Sequence, residues 1–258
     1  MVKIPKGNPE MINVDYAGKI LGVEELEPLV DRVNKMARED FYGAKVFLDQ
    51  DVEIDVNTRD LFYTPINGTI LVGQVVREMF GGVGIATRAQ KERAYENGLS
   101  WEGVYSYDSL CVGGVDFSGE RLSGRELDFN VRLMKLLRER GEFSGMGLLE
   151  LEKLLTENPA LVKIDDLSLV PDSGYGFRYE ISSDAKVVLD KRLKEDGRFN
   201  EVDGNGLPNF CEDGKRNFYA NQGRLQGVCV GEVGGLCANG GSCSDSYSRS
   251  RVVLTDSR

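Results

Sequence analysis

Residues 44–56 read Ala-Lys-Val-Phe-Leu-Asp-Gln-Asp-Val-Glu-Ile-Asp-Val. Leu48, Val52, Ile54 and Val56 fall on one side of an extended chain, and Asp49, Asp51, Glu53 and Asp55 on the other. A period of two is that of a strand with one buried face. Just upstream, Val23, Leu26, Val30, Val33 and Met36 recur at helical spacing and predict a helix over 23–40, with Pro28 tolerable in its first turn. A helix followed at once by a half-buried strand points to an α+β fold. Four carboxylates on one strand face repel one another across about 7 Å. They are expected at a sheet edge or in solvent, where they would also suit a cation or a basic partner.

Further along, 69–80 and 86–96 read as helices separated by Gly81-Gly82-Val83-Gly84. That run is a helix terminator and loop, not a dinucleotide fingerprint. Thr87 stands where the third glycine belongs, and the glycines follow a helix instead of a strand. Residues 101–119 are aromatic and glycine-rich and predict a short strand pair. Ser123-Gly-Arg-Glu126 is a capping box opening a helix with Leu127, Val131, Leu133, Leu136 and Leu137 on one face. A second helix is expected over 147–157, strands at 161–163 and 176–181, and a short helix over 184–195. No stretch repeats, so a solenoid is excluded. From Asn200 the composition shifts to Gly, Asn, Ser and Cys, with one more strand near 250–255. The expectation is therefore an α+β globular region over 1–198, with an internal boundary near 98–122. It combines mixed helices with a small, mostly antiparallel sheet. A Gly/Cys-rich irregular region over 199–258 follows.

Within that last region, residues 201–212 read Glu-Val-Asp-Gly-Asn-Gly-Leu-Pro-Asn-Phe-Cys-Glu. Side-chain oxygens fall at the first, third, fifth, ninth and twelfth places: Glu201, Asp203, Asn205, Asn209 and Glu212. Gly206 holds the sixth place and the Leu207 carbonyl the seventh. Ca²⁺ needs six to eight oxygens, and a short loop supplies them only if alternate side chains point inward around a turn-permitting glycine. The stretch resembles the EF-hand loop, and more closely the Asp-x-Asp-Gly-Asp-Gly-Leu-Pro-Asp loops of thrombospondin type 3-like repeats, over about a dozen residues. The resemblance implies a structural Ca²⁺ held by these six residues. With two neutral amides among the ligands, affinity would be on the order of 10⁻⁴ to 10⁻³ M. Glu201 in place of Asp, and Pro208 and Gly214 nearby, depart from an EF-hand pair. Asp-Gly and Asn-Gly also form plain polar turns.

The 258 residues carry a net charge of −10 and no histidine. The charge disfavours nucleic acid, which needs basic faces. The missing histidine removes Ser-His-Asp and Cys-His nucleophiles and His-ligated metal sites. No segment is a membrane span, and the first residues lack the apolar core of a signal peptide. Four of the five cysteines, Cys211, Cys229, Cys237 and Cys243, crowd the last quarter, without a Cys-x-x-Cys pair. They read as a disulfide-stapled region with Cys237–Cys243 or Cys229–Cys237 as local candidates, or else as reduced buried thiols. Cys237-Ala-Asn-Gly-Gly-Ser-Cys243 is similar to a piece of an EGF-like module, but the Cys-x-Cys that completes one is absent. Asn67-Gly68-Thr69 is a glycosylation sequon. Ser183-Asp-Ala-Lys186 fits Ser-x-x-Lys, although Ser183 also serves as a helix N-cap, and the companion motifs are missing.

No catalytic residue is assigned. The expected function is an extracellular or cell-surface structural or adhesion protein with a structural calcium site, whose layout resembles a pilin-like or adhesin-like head. Its leader or anchor would lie outside this sequence, and its partners would be other surface or filament subunits. The alternative is a cytoplasmic, His-independent hydrolase using carboxylates.

Overall fold

The computed structural model describes residues 13–16, 20–41, 51–54, 61–62, 65–98, 106–113, 124–220, 225–230, 234–240 and 251–256. Strand β1 (Asn13–Tyr16) precedes helix α1 (Val23–Glu39). The Glu25 carboxylate accepts from the Gly22 N–H at 2.8 Å, and Glu24 and Glu25 place negative charge on the positive end of the helix. Pro28 lies inside the helix, beyond the first turn. The helix runs on because Leu26, Leu29, Val33, Met36 and Ala37 bury one face. Asn34 both donates to and accepts from the backbone of Val52 at 2.9 Å, fastening β2 (Glu53–Ile54) to α1. β2 pairs with β3 (Leu61–Phe62). Of the acidic stretch, Asp51 pairs with Arg38 and Glu53 is exposed, while Asp49 and Asp55 lie outside the described residues.

Helix α2 (Ile66–Phe80) is apolar nearly all round and is buried accordingly. It ends at Gly81 and Gly82, both at positive φ, where glycine carries no steric penalty. The chain then forms a short buried strand, β4 (Val83–Ile85), in place of the expected loop. Helix α3 (Arg88–Glu96) follows, then β5 (Ser106–Val112), buried at all seven positions. β5 is the only strand described within 101–119; its partners come from elsewhere in the chain. Helix α4 (Gly124–Glu139) buries Phe129, Leu133, Met134 and Leu137, while Leu127, expected on that face, is exposed. Helix α5 (Leu148–Glu157) buries Leu151 and Leu155, and Ser123 lies outside the described residues. β6 (Ala160–Lys163), a 3-10 turn (Ile164–Asp166), the hairpin β7 (Leu167–Asp172) and β8 (Gly176–Ile181), and β9 (Val187–Leu189) come next. The helix expected over 184–195 is instead β9 and a 3-10 turn, Lys191–Lys194. β10 (Gly197–Val202), β11 (Pro208–Phe210), β12 (Arg216–Tyr219), β13 (Gln226–Val230), β14 (Leu236–Gly240) and β15 (Val253–Asp256) complete the chain.

Eight strands form one sheet in the order β11-β10-β12-β14-β13-β5-β6-β9. All neighbours are antiparallel except β12 and β14. The mixed α+β class stands, but the sheet is large, not small. The described parts of 199–258 supply much of it, and position 198 falls inside β10. β15 sits between β1 and β4 in a second, three-stranded sheet.

The large sheet divides two cores. Leu110, Val112, Ala160, Val162 and Cys229 face α1, α2, α4, α5 and the β7–β8 hairpin. Their chain neighbours Cys111, Leu161, Val228 and Val230 face the other way, onto Phe199, Leu207, Phe218 and Leu236. Alternate side chains thus serve opposite cores, as the pleat requires. The sheet curls until its two edges meet. Arg192, just after β9, donates to the Pro208 carbonyl at 2.9 Å and to Asp203 at 2.6 Å, and Lys186 donates to Asn205 at 2.8 Å. Among the described residues, no helix is long and apolar enough to cross a membrane. Asn67 is fully buried in α2 and accepts a 2.6 Å hydrogen bond from the Tyr179 hydroxyl, so the folded chain offers no glycan acceptor at this sequon.

Candidate functional site

The densest ionisable cluster lies where α3 meets β5. Thr87 starts the helix with a capping box: its N–H donates to the Gln90 side chain at 2.8 Å, and its hydroxyl accepts from the Gln90 N–H. Arg88 and Lys91, three residues apart, therefore point the same way, toward the sheet. Arg88 Nε donates to Asp108 Oδ2 at 2.8 Å, and Arg88 Nη2 stands 2.6 Å from the same oxygen. Lys91 Nζ reaches Asp108 at 3.3 Å, the Ser106 hydroxyl at 2.8 Å and the carbonyls of Ser106 and Tyr107 at 3.2 and 3.0 Å. Arg88, Lys91 and Asp108 are 3%, 0% and 3% exposed. Two cations face one carboxylate, an excess of positive charge in the interior. Burial pushes Lys91 down from 10.5 to about 8, against the pull of Asp108. Arg88 Nη1 finds no hydrogen-bond acceptor among the described residues, and Nη2 meets Asp108 only as an ion pair.

Two thiols adjoin this cluster. On β13, Cys229 lies opposite Tyr107 of β5 on one side and opposite Cys237 of β14 on the other. A hydrogen bond with Cys237, and then burial, raise the Cys229 thiol well above its usual value, while Arg88 opposes them. Among the described residues, no disulfide joins any two of Cys111, Cys211, Cys229 and Cys237. Cys243 lies outside them.

The calcium-like stretch is the tip of the β10–β11 hairpin. Asp203 Oδ1 accepts from the Asn205 and Leu207 N–H groups at 2.8 and 3.1 Å, and the Asp203 N–H donates to the Leu207 carbonyl at 2.8 Å. Asp203 Oδ2 takes Arg192, which Asp190 and Asp203 together hold firmly protonated. Asn205 takes Lys186. Leu207 turns its side chain into the second core. Glu201, Asn209 and Glu212 are exposed. The hairpin thus brings Asp203 and Asn205 to the seam of the sheet and leaves the two glutamates outside it. Among the described residues, no three acidic or thiol side chains gather as a metal site. Gly206, at φ +81°, presses the loop against α3: a Cβ here would lie 2.3 Å from Arg88 Cβ. Arg216 of β12 grips Glu92 of α3 at 2.6 Å through both nitrogens and lies over the Phe199 ring. Hairpin tip, α3 and β5 therefore form one continuous polar layer.

Other sequence candidates disperse. Lys186 turns to Asn205, and the Ser183 carbonyl accepts from Arg140. The two residues do not share a helix, so the serine–lysine arrangement is not formed. Cys211 lines a shallow surface depression with Arg198, Phe210 and Glu212. The Lys91 cluster escaped the sequence reading, although Arg88 and Lys91 at helical spacing and Ser-Tyr-Asp-Ser in a strand were visible signals. No family model, curated protein or solved structure matches the chain.

Proposed function

We propose that this chain is the head of an extracellular or cell-surface structural protein, pilin-like or adhesin-like in layout, and not a catalyst. The observation that supports this reading is where its polar chemistry points. Arg88, Lys91 and Asp108 close on one another at 3% exposure or less. Asp203 and Arg192 close the sheet seam. Among the described residues, these buried and seam charges hold strands and helices together. A carboxylate hydrolase needs two carboxyl groups facing each other across a bond to be cleaved. Burial raises both Asp165 and Asp166, but they are consecutive residues of one 3-10 turn. Asp165 accepts from Arg77 and the Ile85 N–H, and Asp166 from the Lys186 N–H.

Calcium belongs to this proposal at Glu201, Asp203, Asn205, the Leu207 carbonyl, Asn209 and Glu212. An ion there must take Asp203 from Arg192, which keeps its affinity in the range of extracellular modules or below. The location is tested by treating intact native cells with a membrane-impermeant amine reagent. Labelling before lysis is expected; labelling only after lysis overturns the reading.

A further inference from the structure

We propose that Cys229 and Cys237 are a cross-strand dithiol that closes reversibly into a disulfide, with Cys237 as the entry thiol and Cys229 as the resolving one. Cys229 stands directly opposite Cys237 in antiparallel register, so both side chains leave the same face of the sheet. Opposed residues have Cα atoms about 4.5 or 5.5 Å apart, according to the pair type, and both spacings lie within the roughly 4.4–6.8 Å that disulfides span. The two thiols are already hydrogen-bonded. They differ in access: Cys229 is 1% exposed, whereas Cys237 is half-buried. A reagent from solvent therefore meets Cys237 first. The hydrogen bond with Cys237 and burial hold the Cys229 thiol protonated, with Arg88 opposing them, which suits Cys229 to the second step and not to first attack.

The oxidant required is a small-molecule disulfide such as oxidised glutathione. The Cys237 thiolate attacks one of its sulfurs, that S–S bond breaks, and a mixed disulfide forms as the first small thiol leaves. The Cys229 thiolate then attacks the Cys237 sulfur and expels the second small thiol. Two protein thiols are oxidised, one small disulfide is reduced, and the two protons end on the released thiols. The bond fastens β14, the parallel partner of β12, to β13 beside the central strand β5.

The test uses the full chain, treated with oxidised glutathione and mapped without reduction after cleavage at Glu232, which separates the two cysteines. A Cys229–Cys237 linked peptide is expected, with a mass lower by two hydrogens and a Tm several degrees higher, both reversed by a thiol reductant. Cys229→Ser should trap glutathione on Cys237, and Cys211→Ser should behave as wild type. If a variant fails to fold, the wild-type map decides. A Cys237–Cys243 link, or complete alkylation of every thiol after oxidation, overturns the assignment. Surface labelling is a separate readout, so either proposal can fail while the other stands.

Discussion

At the scale of single residues, the interior is organised by charge as well as by apolar packing. Asp108 is the sole acidic partner of Arg88 and Lys91 among the described contacts. Asp108→Asn leaves two buried cations unopposed and should destabilise by about 3–5 kcal/mol in urea unfolding; Lys91→Met in the same chain should recover part of that loss. Lys91 also sets a pH dependence. The unfolded chain holds this proton to about pH 10.5, whereas the folded chain releases it near 8. Between those values the unfolded state binds more protons, so stability rises with pH. Wild type should gain about 3 kcal/mol relative to Lys91→Met across that window. A difference that stays flat from pH 7.5 to 10.5 means that burial does not draw the Lys91 proton off early.

At the scale of elements, what was legible depended on whether one element faces one core. α1, α4 and α5 each bury a single stripe whose helical period shows in the sequence, although Val23 and Leu127, expected on those stripes, are exposed. β5 is buried on both faces and carries no alternation, so its length and partners were hidden. The stretch at 184–195 has helical composition, but Asp190 caps only the short 3-10 turn, and strand pairing with β6 decides the rest. Residues 201–212 show the same ambiguity in a sharper form. An aspartate that folds back on loop amides beside a left-handed glycine serves a calcium loop and a hairpin turn equally well. Here Arg192 holds the position a cation would take. Asp203→Ala should therefore lower stability by about 2 kcal/mol through the lost loop amide bonds and ion pair. Arg192→Ala frees the carboxylate, so millimolar calcium should raise its Tm more than that of wild type. Equal shifts in the two proteins, or none in either, count against an ion at Asp203.

At the scale of the whole molecule, the decisive contacts are distant in sequence, which is why a small sheet and a separate tail were expected. β5 pairs with β13, more than a hundred residues onward, and β12 with β14 across β13. Residues 226–230 alternate between cores: Cys229 faces the helical core, and Val228 and Val230 face the second one. Removing everything after residue 198 would strip β10 to β14 from the sheet and β15 from between β1 and β4. β5 would keep β6 but lose β13, exposing the backbone edge and one face of a strand buried at all seven positions. The second core would lose Phe199, Leu207, Phe218, Val228, Val230 and Leu236, leaving Leu161 and Leu193 without cover. A fragment of residues 1–198 should therefore show no cooperative thermal transition and no near-ultraviolet dichroism, while the full chain melts in one step because both cores share the same strands. Two calorimetric transitions in the full chain, or a cooperative melt of the fragment, would mean that the helical half is a domain on its own.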